Sequence, residues 1–383
     1  MGLGRLIKWS LFVVVMAALF FAGRATWLFS DEIRDELLNP LPAADSAPVE
    51  VVAVGQGTVT LTVTADSARA GTFGLKWDDG YGQLGDVLAS DGVVVTRQFS
   101  LATGSVVSGI AASIDRTVFG TTPLDRGIEY QEVLLPGELG DYPAWRIDGS
   151  DDTWVVFAHD RGTEARREAL RILPHLVAQG YPVLVSSYRN DIGAPASEDG
   201  LFEWGFREWR DLEAAVIYAR ANGASDVVLM GIGAGAEASI MLLTESRQAR
   251  FVVGLVLDSP VLDLNAVEQQ RAMGDGPPDL IAGWGRGLAA FRFAIEWSRL
   301  DQVARAGSLH APILLMHGID DGVAPISVSR EFVAVRPDIV NLEEFPGADH
   351  NGLWNVDSER YESLVADFLD TVAAGPSATA GLP

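Results

Sequence analysis

Between residues 153 and 373 short apolar runs alternate with longer amphipathic ones, and this alternation leaves few folds open. Apolar runs at 153–158, 181–187, 226–230, 251–257, 312–316 and 339–345 read as strands. Segments 164–179, 206–221, 234–243, 327–335 and 358–372 carry helical periodicity. Strand–helix alternation with right-handed crossovers gives a doubly wound, mostly parallel sheet covered on both faces. Ligands of such sheets sit at the carboxyl ends of the strands, so the chemistry is sought in the loops there.

Three of those loops stand out. Gly231-Ile232-Gly233-Ala234-Gly235 joins a strand to a helix, His317-Gly318-Ile319-Asp320-Asp321 follows the strand at 312–316, and Pro346-Gly347-Ala348-Asp349-His350-Asn351 follows the strand ending at Phe345. The chain order is tight turn, acid, histidine, the order of a hydrolase triad built on a G-x-S-x-G elbow. A histidine on a loop can move a proton, and an acid beside it fixes its tautomer.

On these residues the segment 153–373 resembles the α/β-hydrolase superfamily, in its serine aminopeptidase-like and monoglyceride-lipase-like branch. More narrowly, the chain resembles membrane-anchored actinobacterial hydrolases. Ser187-Tyr188-Arg189-Asn190-Asp191, residues 208–215 and 257–263, and Leu353-Trp354-Asn355-Val356-Asp357 carry that likeness. The resemblance implies an α/β-hydrolase fold with a helical cap at about 259–308. It gives Asp321 the acid position and His350 the base position. It places His159-Asp160-Arg161-Gly162 at the oxyanion loop, with backbone N–H groups of Asp160 or Arg161 and of Ala234 as donors. The position of the nucleophile falls on Gly233, which has no hydroxyl, so an acyl-enzyme cannot form there.

Other residues compete for roles. Asp320 and Asp258 are alternative acids, and Asp349 is adjacent to His350. Ser239 lies within a helix, and Ser259 follows a strand. Glu237 sits on a helix apolar on most faces, so it is expected to be buried. Helical side chains lean toward the N-terminus, which aims it over Gly233 to fill the space of the missing hydroxymethyl group and pair with His350 or Arg161. His159 and Glu237, with Trp284 and Phe291 of the cap, are the expected pocket residues.

The remaining chain divides into a membrane anchor at 1–30, a Pro-rich linker at 31–48, a β-rich domain at 49–150 and a disordered tail at 375–383, flanking the hydrolase-like domain at 151–374. Residues 6–29 would span about 36 Å as a helix, enough for a hydrocarbon core of about 30 Å. Arg5 and Lys8 precede the apolar run and Asp31, Glu32, Asp35 and Glu36 follow it. The positive-inside rule then places the N-terminus in the cytoplasm and the rest outside the cell membrane. A cleaved signal peptide is the rival, but the run shows no clean small-x-small cleavage site. Within the β-rich segment, residues 59–64 alternate at period two, and Asp79-Gly80 and Asp91-Gly92 are hairpin turns. The segment shows no chemical constellation and reads as a collar.

The chain has no cysteine, which excludes disulfides, thiolate catalysis and Cys-zinc sites. Its net charge of −24 argues against nucleic-acid partners. No cofactor and no metal are expected. Three functions remain: a degenerate hydrolase that binds a small hydrophobic ligand or a protein partner, an active ester or amide hydrolase using water or another nucleophile with Asp321 and His350, or an envelope scaffold.

Overall fold

A computed structural model of the chain describes residues 3–40, 48–162, 165–275 and 278–373. Helix α1 (Leu3–Ile33) continues through a π-helical turn, Arg34–Leu38. Six strands follow: β1 (Val49–Gly55), β2 (Thr58–Thr62), β3 (Phe73–Trp77), β4 (Gly80–Ser90), β5 (Val94–Thr103) and β6 (Ala111–Asp115). They close into an antiparallel barrel of order β1-β2-β5-β4-β3-β6. Closure leaves the small sheet no free edge. Arg97 lies fully buried in the barrel domain and donates to the carbonyls of Ser67, Arg69, Gly71 and Gly85, so its charge is met by backbone dipoles.

The second sheet comprises β7 (Gln131–Pro136), β8 (Asp141–Ile147), β9 (Thr153–Ala158), β10 (Val183–Ser186), β11 (Asp226–Ile232), β12 (Val252–Asp258), β13 (Ile313–Gly318) and β14 (Val340–Phe345), ordered β14-β13-β12-β11-β9-β10-β8-β7. From β10 to β14 neighbouring strands are parallel; β8 runs antiparallel to β10, and β7 to β8. Every residue of β9, β10 and β13 is buried, as expected of strands covered on both faces. The helices are α2 (Leu173–Ala178), α3 (Trp209–Ala221), α4 (Ala234–Glu245), α5 (Leu264–Asp275), α6 (Asp279–Phe293), α7 (Gln302–Arg305), α8 (Ile326–Val335), α9 (Leu353–Val356) and α10 (Ser358–Ala373). Helices α5 to α7 form the cap between β12 and β13.

Two boundaries differ from the sequence reading. Strands β7 and β8, assigned above to the small β domain at 49–150, are the antiparallel edge of the large sheet. Alternating β-prone residues look the same in either sheet, and only the pairing of β8 with β10 decides. Residues 31–38, assigned to the linker, prolong α1; Ile33, Leu37 and Leu38 are each about 2% exposed, packed on the large domain. Linker residues 41–47 and the tail at 375–383 lie outside the described residues.

The barrel is docked on the loop that carries His350. Asn355 is 2% exposed; its amide donates to the carbonyls of Thr72 and Arg116, and its side-chain oxygen accepts from Arg171 Nη1. Its backbone carbonyl accepts from Thr72 N at 2.7 Å. Replacing Asn355 with Ala strands two carbonyls and a buried guanidinium donor, and should destabilise the full chain by roughly 1–3 kcal/mol. A denaturation midpoint that does not move would contradict this docking.

Candidate active site

The turn between β11 and α4 places Gly233 at φ 50°, ψ −121°. That left-handed conformation strains any L side chain, so the backbone keeps the bend of an elbow without the residue that the bend would present. Gly235 is required for packing: a Cβ there would overlap the carbonyl of Ala158, and stand 2.6 Å from that of His159.

Above Gly233 sits the Asp160 side chain. A Cβ on residue 233 would stand 2.5 Å from Asp160 Cγ and overlap Oδ1. Asp160 Oδ1 accepts from Ala234 N at 2.9 Å, and Oδ2 accepts from Asn351 Nδ2 at 2.9 Å. Asp160 N in turn donates to Glu168 Oε2 at 3.0 Å. Two backbone donors expected to form an oxyanion hole, those of Asp160 and Ala234, are thus each satisfied by a carboxylate of the chain itself. Asn351 takes a left-handed conformation (φ 58°), which Asn tolerates, and its N–H donates to Ser259 Oγ at 3.1 Å.

Asp321 and His350 meet. His350 Nδ1 donates to Asp321 Oδ2 at 2.8 Å, and Asp321 Oδ1 accepts from the N–H groups of Val323 and Ala324, each at 2.8 Å. His317 lies against the same carboxylate at 3.2 Å, with Ser329 Oγ on its other nitrogen. Asp320 is exposed. Asp258 bonds Ser259 Oγ and Tyr361 Oη. Asp349 is held from the barrel side by Arg69 at 2.6 Å and Arg116 at 2.8 Å. These two arginines pin the residue next to His350, a role invisible while the barrel was read as a collar.

The remaining expected site residues separate into two groups. His159 is buried between Asp191 Oδ2, at 2.8 Å, and the carbonyl of Asp160, with the tilted Tyr188 ring 4.4 Å away between centroids. Arg161 donates to the carbonyl of Leu37 at 2.8 Å and lies over Trp204. Trp284 and Phe291 face outward, 49% and 88% exposed, and do not line the cleft. Aromatic content alone cannot tell the inner from the outer face of a cap helix. Glu237 is buried as expected, at 2% exposure, but neither carboxyl oxygen has a well-formed hydrogen bond among the described residues. Pairing with His350 or Arg161 is not found, and Asp160, rather than Glu237, fills the space over Gly233. Ser239 bonds the carbonyl of Gly235 within its own helix, and Ser259 is fully buried.

Five carboxyl groups crowd this region, Asp160, Glu168, Glu237, Asp258 and Asp321, and burial raises three of them. Burial and then the charge of Asp160 push Glu168 up to about 7 and Glu237 well above the usual carboxylate range. Burial likewise raises Asp258. For Asp321 burial is outweighed by hydrogen bonds from His317 and His350, which hold it well below that range. For His350 burial disfavours the cation, yet Asp321, then Asp160 and Asp258, outweigh it and raise the imidazole above its ordinary 6.5.

The carbonyl of Leu37 accepts from both Arg161 Nη1 and Trp204 Nε1, each at 2.8 Å, and Leu38 O accepts from Phe202 N at 2.6 Å. Phe29, Ile33, Leu37 and Leu38 share one apolar cluster with Ala234, Val261, Leu264 and Ala324. The end of the N-terminal helix therefore shares the apolar cluster of Ala234 at the elbow.

Because the folded-state pKa of His350 lies above its ordinary value, its stabilising contribution is complete below pH about 6.5 and fades as pH rises through the folded value. Asp321 behaves oppositely, contributing above pH about 3.9 and losing it on acidification. Selective NMR titration of the histidines should place the His350 midpoint above 6.5 and show it fall in Asp160→Asn. A midpoint indifferent to Asp160 would contradict the placement of that carboxylate.

A family described as a domain of unknown function, DUF8805, matches residues 50–115, which correspond to the barrel. No curated protein matches the chain. Among solved structures, the esterase Pf2001 from Pyrococcus furiosus is 22% identical with a TM-score of 0.53, covering 66% of this chain and 97% of its own. DcsB, solved with its substrate analogue, is 15% identical with a TM-score of 0.50, covering 64% of this chain and all of its own. With the sheet order and the loops at the strand ends, these likenesses show that the described residues from β7 to α10 have the α/β-hydrolase fold.

Proposed function

We propose that this chain is a single-pass membrane protein whose hydrolase-like domain no longer performs serine-hydrolase chemistry and uses its cleft to bind a ligand or partner. The apolar helix α1 and the positive charges before it support an N-terminus in the cytoplasm with both globular domains outside the membrane. The quoted motifs support descent from the serine aminopeptidase-like branch, with Gly233 at the place of the nucleophile. The observation that carries the reading is the Asp160 carboxylate standing over Gly233 on the Ala234 N–H. A serine hydrolase must keep that donor free for the oxyanion of its tetrahedral intermediate. Here a negative group already holds it, so a developing oxyanion would meet like charge.

The intact bond between His350 and Asp321 favours a second reading, hydrolysis by a water that His350 deprotonates as its oxygen attacks an ester carbonyl. The carbonyl π electrons would then move onto oxygen, again next to Asp160, and return to the carbon as the ester C–O bond breaks and the alcohol leaves with the proton held by His350. This argues for the first reading unless substrate displaces Asp160.

A serine-directed fluorophosphonate probe should leave the natural chain unlabelled. Gly233→Ser alone should label little, because its side chain would collide with Asp160. Gly233→Ser with Asp160→Gly should label strongly, and adding His350→Ala should abolish the label. Labelling of the unmodified chain would overturn the proposal, and esterase turnover by that chain, lost in His350→Ala, would install the second reading.

A further inference from the structure

We propose that cap helix α6 is a membrane-surface element, seated with its outer face in the headgroup region of the bilayer that α1 crosses. The inference rests on the anchoring role of α1 and adds a second contact to it. At 100° per residue, Leu280, Trp284 and Phe291 fall within about 40° of one another on the helix. They are 61%, 49% and 88% exposed. Gly283 and Gly287 complete this face, so it carries no charged side chain in a protein of net charge −24. The opposite face, Ala282, Gly285 and Ala289, is buried. Three glycines in one helix, each costing about 1 kcal/mol relative to Ala, leave its stability to packing on its two faces.

The bilayer is the occupant because of where α6 is held. Gly285 is packed against the Phe29 ring so closely that a Cβ would lie 2.5 Å from Phe29 Cδ1. Arg292 bonds Asp31 at 2.7 Å and Ser30 Oγ at 3.0 Å, and its guanidinium lies 3.8 Å from the Trp27 ring centre. Arg24 is the first charge after the apolar run. Phe29 is five residues beyond it, about 7.5 Å along the helix axis. A headgroup layer is about 5–8 Å deep on each side of the hydrocarbon core, so α6 is fastened to α1 at that depth. Trp27 and Leu28 on α1, each about half exposed, extend the apolar surface toward the exposed run ending at Phe21. Tryptophan and phenylalanine beside arginine are the side chains that such an interface accommodates.

A chain without cysteine allows one labelled position at a time. The full-length protein is reconstituted in phosphatidylcholine vesicles with an environment-sensitive fluorophore at Phe291→Cys or, independently, Leu280→Cys. Phe20→Cys in α1 reports the anchor. His310→Cys, exposed just before β13 at the opposite end of the sheet, reports background. Doxyl-labelled lipids should quench positions 20, 280 and 291, with blue-shifted emission, and leave 310 unaffected. Quenching at 20 without quenching at 280 and 291 would overturn the inference while leaving the anchor intact. No quenching at 20 would remove the anchor, and the inference with it. Quenching at 310 as strong as at 291 would also overturn it.

Discussion

The hydrogen bond from the Ala234 N–H to Asp160 organises the site more than any other contact. It needs Gly233, because any Cβ at that residue would occupy the space of the Asp160 carboxyl group. It couples the oxyanion loop after β9 to the elbow after β11, and through Asn351 to the histidine loop after β14. Three loops that catalysis would require to converge on a substrate converge here on a carboxylate of the chain itself. The charge of Asp160 also acts through the region: after burial it raises Glu168 and Glu237, and after Asp321 it favours the cationic form of His350. A carboxylate of the chain itself thus holds the Ala234 N–H and raises the neighbouring imidazole above its ordinary value.

The surrounding architecture closes the same region from two sides. The barrel clamps Asp349 with Arg69 and Arg116 and threads Asn355 between its loops. The end of α1 lays Leu37 and Leu38 beside Ala234 and uses their carbonyls to hold Arg161, Trp204 and Phe202. Arg161 loses water in that position, and burial lowers its pKa despite the charge of Asp160. The end of α1 is thus packed into the same cluster as Ala234 at the elbow. Removing residues up to 38 would uncover the apolar surface that Phe29, Ile33, Leu37 and Leu38 cover.

Much of the large domain was legible in the sequence because its parallel strands are buried on both faces and read as continuous apolar runs. The three strand-end loops were legible from the strand pattern, and the resemblance pointed to Asp321 and His350, which the structure brings together at 2.8 Å. The Asp160 placement was not, since its partners Ala234 and Asn351 are 74 and 191 residues away and no local pattern announces them. Glu237 was rightly read as buried, but its orientation was inferred from helix geometry without knowing which loop lay opposite. The apolar run of α1 looks the same whether it faces lipid or protein, so the docking of residues 29–38 could not be foreseen. Strands β7 and β8 were placed in the wrong sheet because antiparallel alternation carries no information about the partner strand.

The central claim is that Asp160 acts as a built-in anion in a hole formed by Ala234 N and Asn351 Nδ2. Its most direct test is chemical rescue, followed as thermal stability. In Asp160→Gly the hole is emptied, and added acetate should bind it and raise the unfolding midpoint in a saturable way, with no saturable acetate effect on the natural chain. An Asp160→Gly protein that ignores acetate, or a natural chain stabilised by it to the same extent, would contradict the account.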